Sequence, residues 1–301
     1  MDIALKVDVD TYRGTLEGVP RLVAALSARG IAASFYFSLG PDHTGWALRR
    51  VLRPGFLAKV RRTSVVSHYG LRTLLYGVLL PGPQIARRAG GVLAATAAAG
   101  HETGIHCYDH VYWQDNAATR DAAWTRRQVE LAVAAYRAAF GCAPRAHCAA
   151  GWQVNEHLFA LEDELGFEYA SDSRGSHPFL PALGGYRARC PQLPTTLPTL
   201  DELVGVDGLA ASGAIDRILD LTAAPPAAGA HVFTLHAELE GQQYATEFLR
   251  LIDTWRARGH RLATLAELRR QLDVARLPRH EVVLGEVAGR SGTLALQGAQ
   301  L

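Results

Sequence analysis

A chain of 301 residues, 49% hydrophobic and 20% charged, has the composition of a soluble globular protein able to bury a core, as one large α/β domain or two small ones. No run of eighteen apolar residues occurs, which excludes a simple spanning helix; Met1 to Lys6 lacks the basic start and long apolar run of a signal peptide, so a cytosolic chain is expected. The four cysteines, Cys107, Cys142, Cys148 and Cys190, form no C-x-x-C pair, so free thiols are expected rather than a structural zinc knot.

The net charge of +2 conceals an asymmetry. Between His43 and His101 there is no acid, but there are nine basic residues: Arg49, Arg50, Arg53, Lys59, Arg61, Arg62, Arg72, Arg87 and Arg88. The rest of the chain holds 22 basic and 29 acidic residues. One segment is therefore built to meet something anionic.

Leu5 to Val9 reads as a first buried strand ending in two carboxylates, Asp8 and Asp10. With a period of two they point the same way if the strand continues to Asp10; the plainer reading is a helix cap and a turn. Val19 to Arg29 has helical spacing and stops at Gly30, and Ile31 to Ser38 is a second strand. A β-α-β start implies a parallel sheet.

Trp46 to Leu80 breaks this rhythm. Leu48, Val51, Leu52, Phe56, Leu57 and Val60 interleave with the basic residues, and an apolar run follows from Leu71 to Leu80. That pattern suits an amphipathic helix lying in a membrane interface, with cations on lipid phosphate. The plainer reading is a helical excursion with solvated arginines. No nucleic-acid signature accompanies the charge, and no nucleic-acid partner is expected.

Ile85 to Ala99 reads as a helix delivering the chain to Gly100-His101-Glu102-Thr103-Gly104-Ile105-His106-Cys107-Tyr108-Asp109-His110. Thr103 to Ile105 is a short strand. His106 and His110 are four apart, a spacing that puts two imidazoles on one side of a helical turn, where they can grip a divalent ion. Further on, helices are expected at Ala122 to Phe140, Glu156 to Leu165, Ala214 to Thr222, Phe248 to Arg258 and Leu265 to Leu272. Strands are expected at Ala146 to Ala150, at Tyr169 running into Asp172, at His231 to Leu235 with His236 at its end, and at Arg261 to Thr264. From Leu277 no role can be derived; Val282 to Val287 suits an added strand or a lipid contact. About seven strands alternate with helices, and the chemically loaded residues fall just after strands, the layout of a β/α barrel with its site at the strand C-termini.

Asp8-x-Asp10, Gly100-His101-Glu102-x-Gly104-x-His106-x-x-x-His110, Asp172 and Thr234-Leu235-His236 occur in the order found in the polysaccharide deacetylase family, which the chain resembles along nearly its whole length. The resemblance implies a distorted (β/α)7 barrel of the NodB homology type, here a single domain over residues 1–301 with a membrane-interface insertion at about 43–83. The strings Val7-Asp8-Val9-Asp10-Thr11-Tyr12-Arg13-Gly14-Thr15, Ser171-Asp172-Ser173-Arg174-Gly175, Pro194-Thr195-Thr196-Leu197-Pro198-Thr199 and His236-Ala237-Glu238 resemble one branch. That branch deformylates undecaprenyl phosphate-linked 4-deoxy-4-formamido-L-arabinose for lipid A modification and polymyxin resistance.

Carried over residue by residue, the pattern makes Asp10, His106 and His110 ligands of one divalent ion (zinc, manganese, cobalt or nickel), Asp8 the general base and His236 the general acid. One carboxylate and two imidazoles leave positions open for water and substrate. Asp172 would orient or tune a catalytic group. Arg13 and Arg174 would hold the carrier phosphate or form structural ion pairs, and Glu238 would steady His236 or face solvent.

Three departures from the wider family stand out. Val9 separates the two aspartates, Cys107 takes a Ser or Thr place, and no Arg-Pro motif occurs near Cys148 to Gly151. The implied protein is a hydrolase at the cytoplasmic face of the inner membrane, bound to an anionic surface and a lipid-linked aminosugar. The alternatives are a deacetylase of another N-acylated aminosugar and a non-catalytic polyprenyl-phosphate binder.

Overall fold

A computed structural model describes residues 1–47, 70–226 and 229–301. The expected membrane-interface residues Arg49, Arg50, Arg53, Lys59, Arg61 and Arg62 lie outside the described residues, as does most of the basic excursion.

Among the described residues, seven strands form a parallel sheet. In chain order these are β1 (Asp2–Val9), β2 (Ser34–Ser38), β3 (Glu102–Cys107), β4 (Ala146–His147) and β5 (Tyr169–Ala170), then, after two strands of a second sheet, β6 (Leu180–Leu183) and β7 (Tyr186–Arg187), β8 (Ala230–His236) and β9 (Arg261–Ala263). The spatial order is β5-β4-β3-β2-β1-β8, with β9 paired to the first residues of β1. β1 and β2 are buried along nearly their whole length, including Lys6 and Asp8 of β1. The architecture is α/β, a curved parallel sheet wrapped by helices.

Helices α1 (Val19–Ser27), α2 (Gly90–Ala98), α3 (His110–Asn116), α4 (Ala122–Phe140), α5 (Glu156–Leu165), α6 (Ala211–Leu221), α7 (Ala245–Ala257) and α8 (Leu265–Gln271) connect these strands. Their ends follow local chemistry. Asp121 accepts from the Trp124 amide at 2.9 Å to start α4, and Gly141, left-handed at φ 72°, stops it. Thr264 and Glu267 cap α8 reciprocally. The expected helix from Ile85 to Ala99 is broken at Ala89 into Ile85–Arg88 and α2.

A second, four-stranded sheet, ordered β11-β10-β6-β7, comes from the chain after Ser171 and from its C-terminal stretch. Here β10 (Arg279–Glu286) and β11 (Thr293–Gln300) form an antiparallel hairpin, and β10 pairs in parallel with β6. Of the two readings open from Leu277 onward, the added strand is the observed one.

Candidate active site

The site lies where β1, β3 and β8 end. β1 stops at Val9, so Asp10 stands in the turn beyond it rather than on the strand. His106 is on β3 and His110 opens α3. The histidines therefore do not share a helical turn, as their spacing suggested; a strand-to-helix corner brings them together. Asp109 makes the corner by accepting from the Tyr112 amide at 3.1 Å. The result is one carboxylate between two imidazoles. Asp10 Oδ1 lies 3.3 Å from His106 Nε2 and 3.4 Å from His110 Nε2.

Two details fit this set to a cation. The far nitrogen of His106, Nδ1, is 2.8 Å from the Cys148 carbonyl, which directs Nε2 inward. Asp10 Oδ1 is buried and accepts no hydrogen bond among the described residues. Burial pushes the Asp10 carboxyl up, but His110 and His106 outweigh it and hold it below its ordinary range. A second grouping, Asp8, His106 and Cys148, shares His106. It suits a cation less, because the Cys148 thiol is pushed well up by burial and by Asp8, and Sγ is turned to Asp8 Oδ1 at 3.5 Å.

Parallel pairing of β1 with β8 puts Asp8 opposite His236. Asp8 is buried beside Lys6, whose Nζ stands 3.6 Å from Oδ2, donates to the Ser171 carbonyl at 3.0 Å and lies 5.1 Å from the centroid of the Trp152 ring. Burial pushes the Lys6 ammonium down, but Asp8 leads the charges that reverse this and keep it protonated. A cation thus stands beside Asp8 in a chain that lacks the Arg-Pro motif. A lysine inside the apolar run Ile3 to Val9 was the signal for it, and the sequence reading passed over it.

Burial also pushes the His236 imidazole down, yet Asp201, Asp10, Glu240 and Asp8 hold it above its ordinary value, the direction a proton donor needs. Its Nδ1 is 4.0 Å from Asp201 Oδ1, and its backbone amide donates to Glu240 Oε2 at 2.8 Å. Neither carboxylate was singled out from the sequence.

Other expected residues fall elsewhere. Glu238 is buried and does not face solvent. Its Oε1 accepts from the Asp10 amide at 3.1 Å and from the Thr11 amide and hydroxyl at 2.9 and 2.8 Å, and burial with Asp10 nearby pushes it up to about 8. A Cβ on Gly14 would collide with that carboxylate, so glycine is what lets the two turns meet. Asp172 is set apart with His147 and Glu162, holding the Ala149 amide at 2.6 Å. Arg174 is paired with Glu202 and donates to the Leu197 carbonyl at 2.8 Å. Arg13 pairs with Glu17 at 3.1 Å on the surface. Cys107 is buried against Ser38.

No family model matches the chain. A Mycobacterium smegmatis protein assigned to the polysaccharide deacetylases shares the fold, with a TM-score of 0.65 at 19% identity over 95% of this chain and 94% of that one. The fold is thus that of the polysaccharide deacetylases. In sequence the chain is 35% identical to a Shewanella sediminis protein named "Probable 4-deoxy-4-formamido-L-arabinose-phosphoundecaprenol deformylase", over 99% of this chain and 95% of that protein. It is 29% identical to a protein of the same name from Wigglesworthia glossinidia brevipalpis, over 94% and 98%. The chain belongs to this deformylase family, whose members hydrolyse an amide bond. Among the described residues no helix is long and apolar enough to cross a membrane.

Proposed function

We propose that the protein is a metal-dependent deformylase that releases formate from undecaprenyl phosphate-linked 4-deoxy-4-formamido-L-arabinose, leaving the 4-amino sugar lipid for lipid A modification and polymyxin resistance. The observation that carries this is positional. Asp8 and His236 sit opposite each other on β1 and β8, beside the Asp10–His106–His110 set, in a chain 35% identical to a protein of that name.

Asp10, His106 and His110 would hold one divalent ion, which when bound polarises the formyl oxygen and lowers the pKa of water from about 15.7 to near 7. Asp8 takes the proton of the attacking water, with the Lys6 ammonium standing beside its carboxylate. His236 delivers a proton to the departing nitrogen, and Asp201 supports its positive charge. The C–N bond breaks to give formate and the amine.

The substrate lipid brings the protein to the anionic cytoplasmic face of the inner membrane as a peripheral protein. The acid-free charge of residues 43–101 supports this, as do Val78 and Leu79, 53% and 75% exposed. A single domain with an interfacial insertion at about 43–83 is part of the same proposal.

The deciding measurement is formate release from the lipid-linked formamide by metal-loaded protein, chelated protein and Asp8→Asn. Release that needs both metal and Asp8 is expected. A folded, metal-loaded protein that spares the formamide but cleaves an acetamido sugar would replace this reading with that of a deacetylase. Cleavage of neither would leave a binder of polyprenyl phosphate.

A further inference from the structure

The turn between β10 and β11 reaches the site. Gly289 has φ 84°, and a Cβ there would collide with the Glu202 backbone, so a glycine is required for this turn to close on the short helix Leu200–Leu203. Arg290 follows and is carried inward. Its Nε donates to Glu202 Oε1 at 2.7 Å, and its guanidinium lies 4.3 Å from the centroid of the Trp152 ring. One terminal nitrogen lies 3.6 Å from Asp201 Oδ2.

Asp201 is thus hydrogen-bonded at one oxygen and ion-paired at the other. The Thr199 hydroxyl donates to Oδ1 at 2.6 Å, and Arg290 faces Oδ2. This fixes the plane of the carboxylate whose Oδ1 stands 4.0 Å from His236 Nδ1. Glu202 is anchored in turn by the Thr199 amide at 3.0 Å and by Arg174, so Arg290 approaches Asp201 from a rigid base. Trp152 supports it from the other side, in a left-handed backbone conformation, φ 53°, that is unfavourable for a non-glycine residue.

We infer that Arg290 is a positioning residue: the C-terminal hairpin inserts it to fix Asp201 against His236, and so to set the proton donor of the hydrolytic step. This rests on the reading of His236 as the acid. In that step water adds to the formyl carbon, the C–N bond breaks, and the His236 proton goes to the leaving nitrogen. An activated ester needs no such proton, because its leaving group departs as a stable anion.

The test compares metal-loaded wild type, Arg290→Gln and Arg290→Lys on the lipid-linked formamide and on 4-nitrophenyl formate. With Arg290→Gln, kcat for the formamide should fall about 10–100-fold, while KM and the ester rate stay within about threefold. Arg290→Lys, which keeps the charge, should recover most of the loss. Equal losses on both substrates would make Arg290 merely structural, and a rise in KM alone would make it a ligand for the substrate's anion; either result overturns the inference. The ring-nitrogen NMR signals of His236, assigned with His236→Gln, give a readout that needs no turnover. They should move in Arg290→Gln, and unchanged signals would also overturn it. If the wild type cleaves neither substrate, the deformylase reading fails, and the NMR comparison still decides the role of Arg290.

Discussion

Asp10, His106 and His110 bring one carboxylate and two imidazoles together at the ends of β1 and β3. His147, Glu162 and Asp172 bring one imidazole and two carboxylates together from β4, α5 and the end of β5, deeper in the same protein. By composition and spacing either could hold a metal. They differ in what their lone pairs already do. In the second cluster His147 Nδ1 lies 2.8 Å from Glu162 Oε1 and 3.1 Å from Asp172 Oδ1. Asp172 also accepts from the Ala149 amide and, at 2.7 Å, from Gln192. Burial, with Asp172 close by, pushes the Glu162 carboxyl well up, so a proton replaces the cation that two carboxylates would otherwise need. That cluster is closed and braces the Cys148–Ala149 loop under His106. In the first cluster Asp10 Oδ1 is left unpartnered and His110 reaches solvent. Glu162 Oε2 also lacks a hydrogen-bond partner among the described residues, so it is the open side that distinguishes a reactive site from a structural knot of similar composition.

The comparison is broken most directly by exchanging the histidines. His106→Gln should lose bound metal and formate release by more than about 100-fold, since losing even an outer partner of a ligand costs about 10–100-fold. His147→Gln should keep the metal and most of the activity. Metal analysis of both purified variants checks this; metal lost from the His147 variant alone would reverse the assignment.

Lys6 sharpens the same contrast, because Asp8, next to the open cluster, has an ammonium as its partner where the closed cluster supplies its own proton. Lys6→Met removes the ion-pair partner of the buried Asp8, and should cost about 3–5 kcal/mol in urea unfolding. The double variant Lys6→Met/Asp8→Asn should regain much of that stability but no activity. A double variant as unstable as the single one would put the loss in packing on Trp152.

The closed cluster should appear in the pH dependence of stability. Burial pushes His147 down, but Asp172 and Glu162 outweigh this and raise it to about 9, from an ordinary value of 6.5. Its stabilisation is therefore complete below about pH 6.5 and is lost as pH rises through about 9. Glu162, also raised, acts in the same direction; Asp172, held below its ordinary value, contributes stability that is lost only in acid. The melting temperature of wild type should fall between pH 6.5 and 9 more steeply than that of His147→Gln. Parallel curves would mean that His147 is neutral in the folded protein.

Much of this was legible in the sequence where the cause is local. The spans of α4 and α5, with Gly141 and Gly166 after them, matched the structure because caps and periodicity are written within a few residues. The α/β class followed from β-α-β spacing. The reason given for pairing His106 with His110 was wrong in mechanism, because helical spacing says nothing about a strand end. Asp201 and Arg290 were not legible, since the contact between them joins residues 89 apart through a hairpin whose register depends on β6. Asp172 and Glu238 stood in motif-like strings, but only the folded neighbourhood shows one bracing a loop and the other holding the Asp10 turn.

The smallest expected effect concerns what the open cluster opens towards. His43 Nδ1 lies 2.6 Å from Asp109, next to His110, and its ring stacks on Trp46 at 4.0 Å. Trp46 in turn donates to the Gly77 carbonyl at 2.7 Å, just before exposed Val78 and Leu79. The rim of the site is therefore continuous with an apolar tip, whereas the closed cluster is fully buried among the described residues. Burying one leucine side chain in a bilayer interface is worth about 1.5–3 kcal/mol. Leu79→Asp should therefore weaken binding to vesicles containing anionic lipid by about tenfold or more, and slow turnover of the lipid-linked formamide at low lipid. The melting temperature and the hydrolysis of soluble 4-nitrophenyl formate should not change, because a side chain 75% exposed holds little of the fold together. Vesicle co-sedimentation at two salt concentrations separates the two contributions: salt should weaken wild type and variant alike, and the apolar deficit should persist. Equal binding of wild type and Leu79→Asp at both salts would remove this tip from the membrane contact and leave the task to charge alone.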